Sequence, residues 1–306
     1  MKNKKGFLDI SFSWIFAFLI GAMILVGAVY GVNKFSSVKN TENSAELGTA
    51  LKNLLTPLET GVESTKSISI TLPVESRITH KCDTFGNFGE ETFSVEEKVK
   101  NQWTKSGVDI SFQDKYIFLP KTLQGKTFNI FSKSFDLPFK VSNLIYFSNS
   151  ETVYCFVGFS KSTKTELQNL NQPNFEFDTC PSNSTRVCLD SVMNCEIKVN
   201  TNENSVTKNG EKVYFEEDAL MYAAIFSDKV TYECEVKRLM QRATELSEIY
   251  EIKSLNLLSV GCDSSLKTEL ISFGKTLSGL KDSGDLFLIN KEAKRINNLN
   301  FGCELW

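Results

Sequence analysis

Hydrophobic and polar positions divide the chain into four stretches with different periods. Ile10 to Val32 (ISFSWIFAFLIGAMILVGAVYGV) is predominantly apolar and holds no Asp, Glu, Lys, Arg or His. At ~1.5 Å per residue a helix over it reaches roughly 34 Å, enough to cross a bilayer's hydrocarbon core. From Lys34 to Leu58, Phe35, Val38, Ala45, Leu51, Leu54, Leu55 and Leu58 recur at helical spacing until Pro57 and Gly61 stop the pattern. The membrane helix is therefore expected to continue outward as an amphipathic neck.

From Ser67 to about Asn200 the period falls to two. Ser67–Leu72 and Val108–Phe112 alternate, and Lys115–Leu119 follows a Gln113-Asp114 break that reads as a hairpin. Thr127–Phe131, Phe139–Phe147 and Thr152–Phe159 are further aromatic and β-branched runs. Asn171–Cys195 is polar and cysteine-dense and reads as a stapled loop, whereas Cys195–Val199 and Lys212–Phe215 suggest one hairpin around a polar turn. After Glu216 the period becomes helical. Helices are expected at Glu217–Phe226, Lys229–Leu258, Ser264 to about Leu280, and Leu286–Leu299. In the second, Val236, Leu239, Met240, Ala243, Leu246, Ile249 and Tyr250 form the apolar stripe.

The expected fold class is α+β: a transmembrane helix extended by an amphipathic helix, an antiparallel β-rich ectodomain, and a C-terminal helical cap. The expected divisions are 1–33 (tail and anchor), 34–62 (neck), 63–215 (β-rich) and 216–306 (helical, disulfide-stapled). Lys2, Lys4 and Lys5 precede the anchor and favour a cytoplasmic amino terminus. All eight cysteines, Cys82, Cys155, Cys180, Cys188, Cys195, Cys234, Cys262 and Cys303, follow it. Their even number suits disulfides in an oxidising compartment, and 105 pairings are open. The acceptor triplet Asn183-Ser184-Thr185 is a glycosylation candidate on the same side. Within the anchor, Ala17 and Gly21, then Gly27 and Gly31, place small side chains four apart, a spacing that lets helices pack closely in lipid.

Lys4-Lys5-Gly6-Phe7 ahead of an apolar helix resembles the processing site of type IV pilins and related archaeal surface proteins. The resemblance implies a peptidase cut between Gly6 and Phe7 and a helix that serves as both anchor and assembly core. It covers about the first 35 residues, and it departs from many bacterial pilins at the fifth mature position, which is Ser11 rather than glutamate. The whole chain, with its Pro57-Leu58-Glu59-Thr60-Gly61 phrase, is similar to archaeal single-pass membrane proteins of uncharacterised activity.

Composition narrows the function classes. The formal charge is −3, which argues against a nucleic-acid partner. With 24 Phe and only 6 Pro the ectodomain reads as an ordered aromatic core rather than a disordered stalk. His80 is the single histidine, so no HExxH motif exists, and no CxxC occurs. Gly125-Lys126-Thr127 and Gly274-Lys275-Thr276 lack the first glycine of a phosphate loop, having Pro120 and Glu269 in its place. Asp282-Ser283-Gly284 is half an aspartic-protease signature with no second copy. Glu216-Glu217-Asp218 reads as a solvated helix start. The expectation is a non-enzyme without metal or cofactor, partnered by the lipid bilayer and by other proteins or copies of itself. An anchored receptor or adhesin is the alternative role, and an ectodomain hydrolase the third.

Overall fold

The computed structural model describes residues 16, 18–31, 67–105, 109–190, 195–262 and 264–306. Residues 18–31 form helix α1, which stands exposed along its length. Among the described residues, no helix is long and apolar enough to cross a membrane. The rest of the expected span and the whole neck, 34–62, lie outside the described residues.

From Ser67 onward the fold is α+β. The strands are β1 (Ser67–Asp83), β2 (Glu90–Val99), β3 (Gln102–Lys105), β4 (Ile110–Phe112), β5 (Tyr116–Phe118), β6 (Thr122–Asp136), β7 (Lys140–Asn149), β8 (Tyr154–Val157), β9 (Phe175–Phe177), β10 (Thr185–Leu189), β11 (Ile197–Asn200), β12 (Ser205–Lys208) and β13 (Glu211–Tyr214). The helices are α2 (Lys161–Asn169), α3 (Glu217–Phe226), α4 (Lys229–Ser259), α5 (Lys267–Ser278) and α6 (Leu286–Leu299).

Seven strands make the first sheet, in the order β3-β2-β1-β6-β7-β5, with β4 also paired to β2. Six make the second, in the order β13-β12-β11-β10-β8-β9. The register of β1 against β6 shifts between Thr71 and Ser76, where Pro73 has no N–H to give a ladder. Period-two alternation on β5 separates two cores. Tyr116 and Phe118 join one cluster, while Ile117 joins the other. The smaller core takes Ile78, Phe93, Val95, Phe112, Ile130, Ile145 and Phe147, all from the first sheet. The larger core lies between the first sheet, the second sheet and the helices, and draws residues from both sides of position 215.

α3 explains how the larger core closes. Ala219 to Phe226 are all buried, as an all-round apolar helix requires. Phe131 from β6 sits among Tyr146 at 4.6 Å, Phe226 at 5.3 Å and Phe175 at 5.9 Å, and Tyr146 Oη donates to Ala219 O at 2.8 Å.

Several expectations need correction. The sheets are mixed, not purely antiparallel: β5–β7, β8–β9, β8–β10 and β10–β11 are parallel pairs. β4 and β5 do not form a hairpin with each other, since β4 pairs with β2 and β5 with β7. The stretch read as a stapled loop contains β9 and β10. The polar turn after Asn200 contains β12, which pairs with both β11 and β13. On α4, Val236, Leu239, Met240 and Ala243 are buried and Leu246 and Tyr250 pack against the larger core, but Ile249 is 58% exposed.

Lys208 on β12 points inward and donates to Ile225 O at 2.9 Å. Burial pushes its pKa down from 10.5 to about 8, against the opposing pull of Asp228. A depressed lysine pKa means that the unfolded chain binds the proton more readily between those values, so this contribution to stability is present above pH 10.5 and lost as pH falls through 8. Lys208→Met removes the penalty. Its advantage over the parent should shrink by about 2 kcal/mol from pH 7 to pH 10.5, allowing for partial exposure. Guanidinium unfolding at the two pH values checks this, and a difference that does not change with pH contradicts it.

Candidate functional site

Three segments bring ionisable side chains to one interior point. On β1, Ser76, Ile78 and His80 face inward at period two. On β2, Glu91, Phe93 and Val95 do the same. The antiparallel register sets His80 opposite Phe93 and Cys82 opposite Glu91, so His80 and Glu91 are diagonal neighbours on one face. α4 crosses that face with Glu235 and Arg238, three residues apart on one side of the helix. The Cys82–Cys234 disulfide fastens strand to helix two residues from His80 and next to Glu235.

The side chains of Glu91, Glu235 and Arg238 are fully buried, and that of His80 is 1% exposed. His80 Nε2 lies 3.3 Å from Glu91 Oε2 and 3.6 Å from Glu235 Oε1. Arg238 uses all five of its N–H donors. Nε reaches Phe88 O at 3.1 Å; Nη1 reaches Glu235 Oε2 at 2.7 Å and Lys115 O at 3.1 Å. Nη2 reaches Gln113 O at 3.1 Å and Phe112 O at 3.4 Å. One guanidinium thus ties down the loops before β2 and after β4. Gly89 serves this arrangement: its φ is +59°, and a Cβ there would run into Asp83 O and come within 2.8 Å of Arg238 Cγ.

Behind His80, Thr231 Oγ1 lies 3.5 Å from Nδ1 and 3.2 Å from Asp228 Oδ2. Asp228 caps α4 by accepting from Thr231 N at 2.9 Å. Burial pushes both glutamates up to about 8, with Arg238 opposing it in each case and the Glu91 charge adding to it for Glu235. His80 is pushed down, first by burial. Two buried carboxylates and one arginine leave an excess negative charge, which a proton or another cation must balance. With its members sealed from water, the cluster suits holding such a cation rather than meeting a substrate.

The cysteine candidates all find partners. Besides Cys82–Cys234, the pairs are Cys155–Cys180, Cys188–Cys195 and Cys262–Cys303. The second and third brace β8, β10 and the approach to β11, and the fourth ties the end of α4 to the tail after α6. Asn183 is exposed between β9 and β10. Gly21, Gly27 and Gly31 lie on α1, where an added Cβ would meet nothing within 4 Å. Gly6, Phe7 and Ala17 lie outside the described residues.

Sequence reasoning placed His80 at a strand end and found no metal set. It missed Glu91, Glu235 and Arg238 because their meeting depends on the β1–β2 register and on a disulfide of unknown pairing. One signal was readable: Glu91 shares the phase of Phe93 and Val95, and Glu235 and Arg238 flank Val236 and Leu239. A charged residue on a buried phase needs a partner. Set against known protein families, curated proteins and solved structures, the chain matches none of them.

Proposed function

We propose that this is a membrane-anchored protein of the cell surface, with a cytoplasmic amino terminus and a structural or interaction role as a pilin-like assembly subunit. The observation that carries the reading is the surface of α1. Phe18, Leu19, Met23, Ile24, Leu25, Val26 and Val29 are all more than half exposed, within a sequence that stays charge-free from Ile10 to Val32. So much apolar surface needs lipid or like helices to cover it. The four disulfides support an oxidising compartment for the part after the anchor. Gly27 and Gly31 leave a smooth face on which a second helix can lie.

The test replaces both glycines: Gly27→Leu with Gly31→Leu keeps hydrophobic length and removes the smooth face. Membrane insertion should persist while oligomers or filaments are lost. Assemblies that survive the double change contradict packing through this face. A second reading, an anchored binding module, draws on a cleft of about 270 Å³ lined by Asp136, Pro138, Glu217, Asn290, Lys294 and Asn297. Its mixed charges and amides suit a small polar ligand, and a chain that stays monomeric in the membrane favours this reading.

A further inference from the structure

We infer that His80, Glu91 and Glu235 form a structural divalent-metal site, with zinc as the ion that fits the donor set. The inference concerns the interior of the ectodomain and does not depend on the anchoring role. Its first support is geometric. One ligand atom from each of the three residues falls within 4.8 Å of the others. The two His80 edges, 3.3 Å and 3.6 Å, match the roughly 3.3–3.6 Å between ligands held at about 2.0–2.2 Å by a tetrahedral ion, and the Glu91–Glu235 edge lies within 4.8 Å.

The second support is unmet hydrogen-bonding capacity. Glu91 Oε1 and Glu235 Oε1 are buried without a hydrogen-bond partner, and the second of these is the atom that faces His80 Nε2. Thr231 adds to this. Its hydroxyl has an acceptor in Asp228 Oδ2 at 3.2 Å, which leaves its lone pair for the N–H at Nδ1 of His80. That tautomer turns the Nε2 lone pair toward two carboxylates, three acceptors that a cation at their centre satisfies together; the opposite tautomer satisfies only Glu91, with Nε2–H donating to its Oε2 at 3.3 Å. The Asp228–Thr231–His80 chain is the outer arrangement that orients a metal-bound imidazole.

Chemistry selects the ion. A single imidazole with two carboxylates is too nitrogen-rich for calcium or magnesium and lacks the thiolates that favour softer ions, and it matches the His and carboxylate ligands of zinc. The unpartnered Glu91 Oε1 offers a fourth donor if Glu91 binds through both oxygens. A dication with Arg238 and two carboxylates leaves one positive charge, which the Asp228 carboxylate faces across Thr231. Because the donors are sealed, the ion enters as the chain folds. A site of this kind clamps β1 and β2 to α4 beside the Cys82–Cys234 bridge.

The test unfolds the chain in guanidinium without reductant, so that its disulfides stay closed. It is then refolded with one equivalent of Zn²⁺ and passed through EDTA by gel filtration. About one zinc per chain should remain, and refolding with Co²⁺ should give the visible d–d bands of a tetrahedral centre. Glu91→Gln should retain less than about a tenth of an equivalent. The proposal is overturned if the parent keeps less than that, the result expected when a shared proton fills the centre. It is equally overturned if Glu91→Gln still binds one zinc. The parent result stands on its own if the variant does not fold.

Discussion

Arg238→Met should destabilise the α+β fold by about 3–5 kcal/mol, the range measured when one partner of a buried ion pair is removed. The size follows from what the guanidinium does rather than from its charge alone. It satisfies the carbonyls of Phe88, Phe112, Gln113 and Lys115, and it pairs with Glu235. Methionine fills much of the volume but leaves the buried carbonyls of Phe112 and Lys115 facing an apolar thioether, each short of a partner it cannot replace with water. Glu235 also keeps its burial and loses the charge that holds it. Arg238→Lys should recover little, because an ammonium offers three donors from one point and cannot serve loops on several sides. Guanidinium unfolding at constant m-value checks both variants, and a loss under about 1 kcal/mol for Arg238→Met contradicts this account.

Opening the Cys82–Cys234 bridge by Cys82→Ala with Cys234→Ala should cost about as much. The two cysteines are 152 residues apart, and chain-entropy closure over that span is worth about 5 kcal/mol. The Cys188–Cys195 bridge, separated by 7, is worth about 2 kcal/mol on the same reasoning. The large bridge also sits where α4 meets β1 and β2, so its loss frees the helix that carries Glu235 and Arg238. Parallel denaturation of the two double variants should rank them in this order. Equal losses contradict the ranking.

Local signals made the helices legible. Glu217–Phe226 and Leu286–Leu299 fall where the sequence places them, because acids, then an apolar run, then a change of period mark the ends. Strand existence was legible and strand partnership was not. Ile110–Phe112 and Tyr116–Phe118 look like neighbours joined by Gln113-Asp114, yet their partners are β2 and β7. A period of two says which face is buried and nothing about which strand lies alongside. β2 escaped notice because Glu90, Glu96, Glu97 and Lys98 dominate its composition while Phe93 and Val95 supply the buried face. β9 and β10 are short and polar-flanked, and parallel pairing through β8 holds them rather than intrinsic pattern. The interior cluster was hidden for the same reason. His80, Glu91 and Glu235 are distant in sequence and meet through register and one particular disulfide.

The central claim, a disulfide-closed ectodomain held outside the cytoplasm, is tested most directly by intact mass. Protein taken from its native membrane is denatured without reductant, alkylated and weighed. The account predicts no alkyl groups, and eight after reduction, one for each cysteine that the four bridges consume. Alkylation before reduction would contradict it, since open thiols place these cysteines in a reducing compartment.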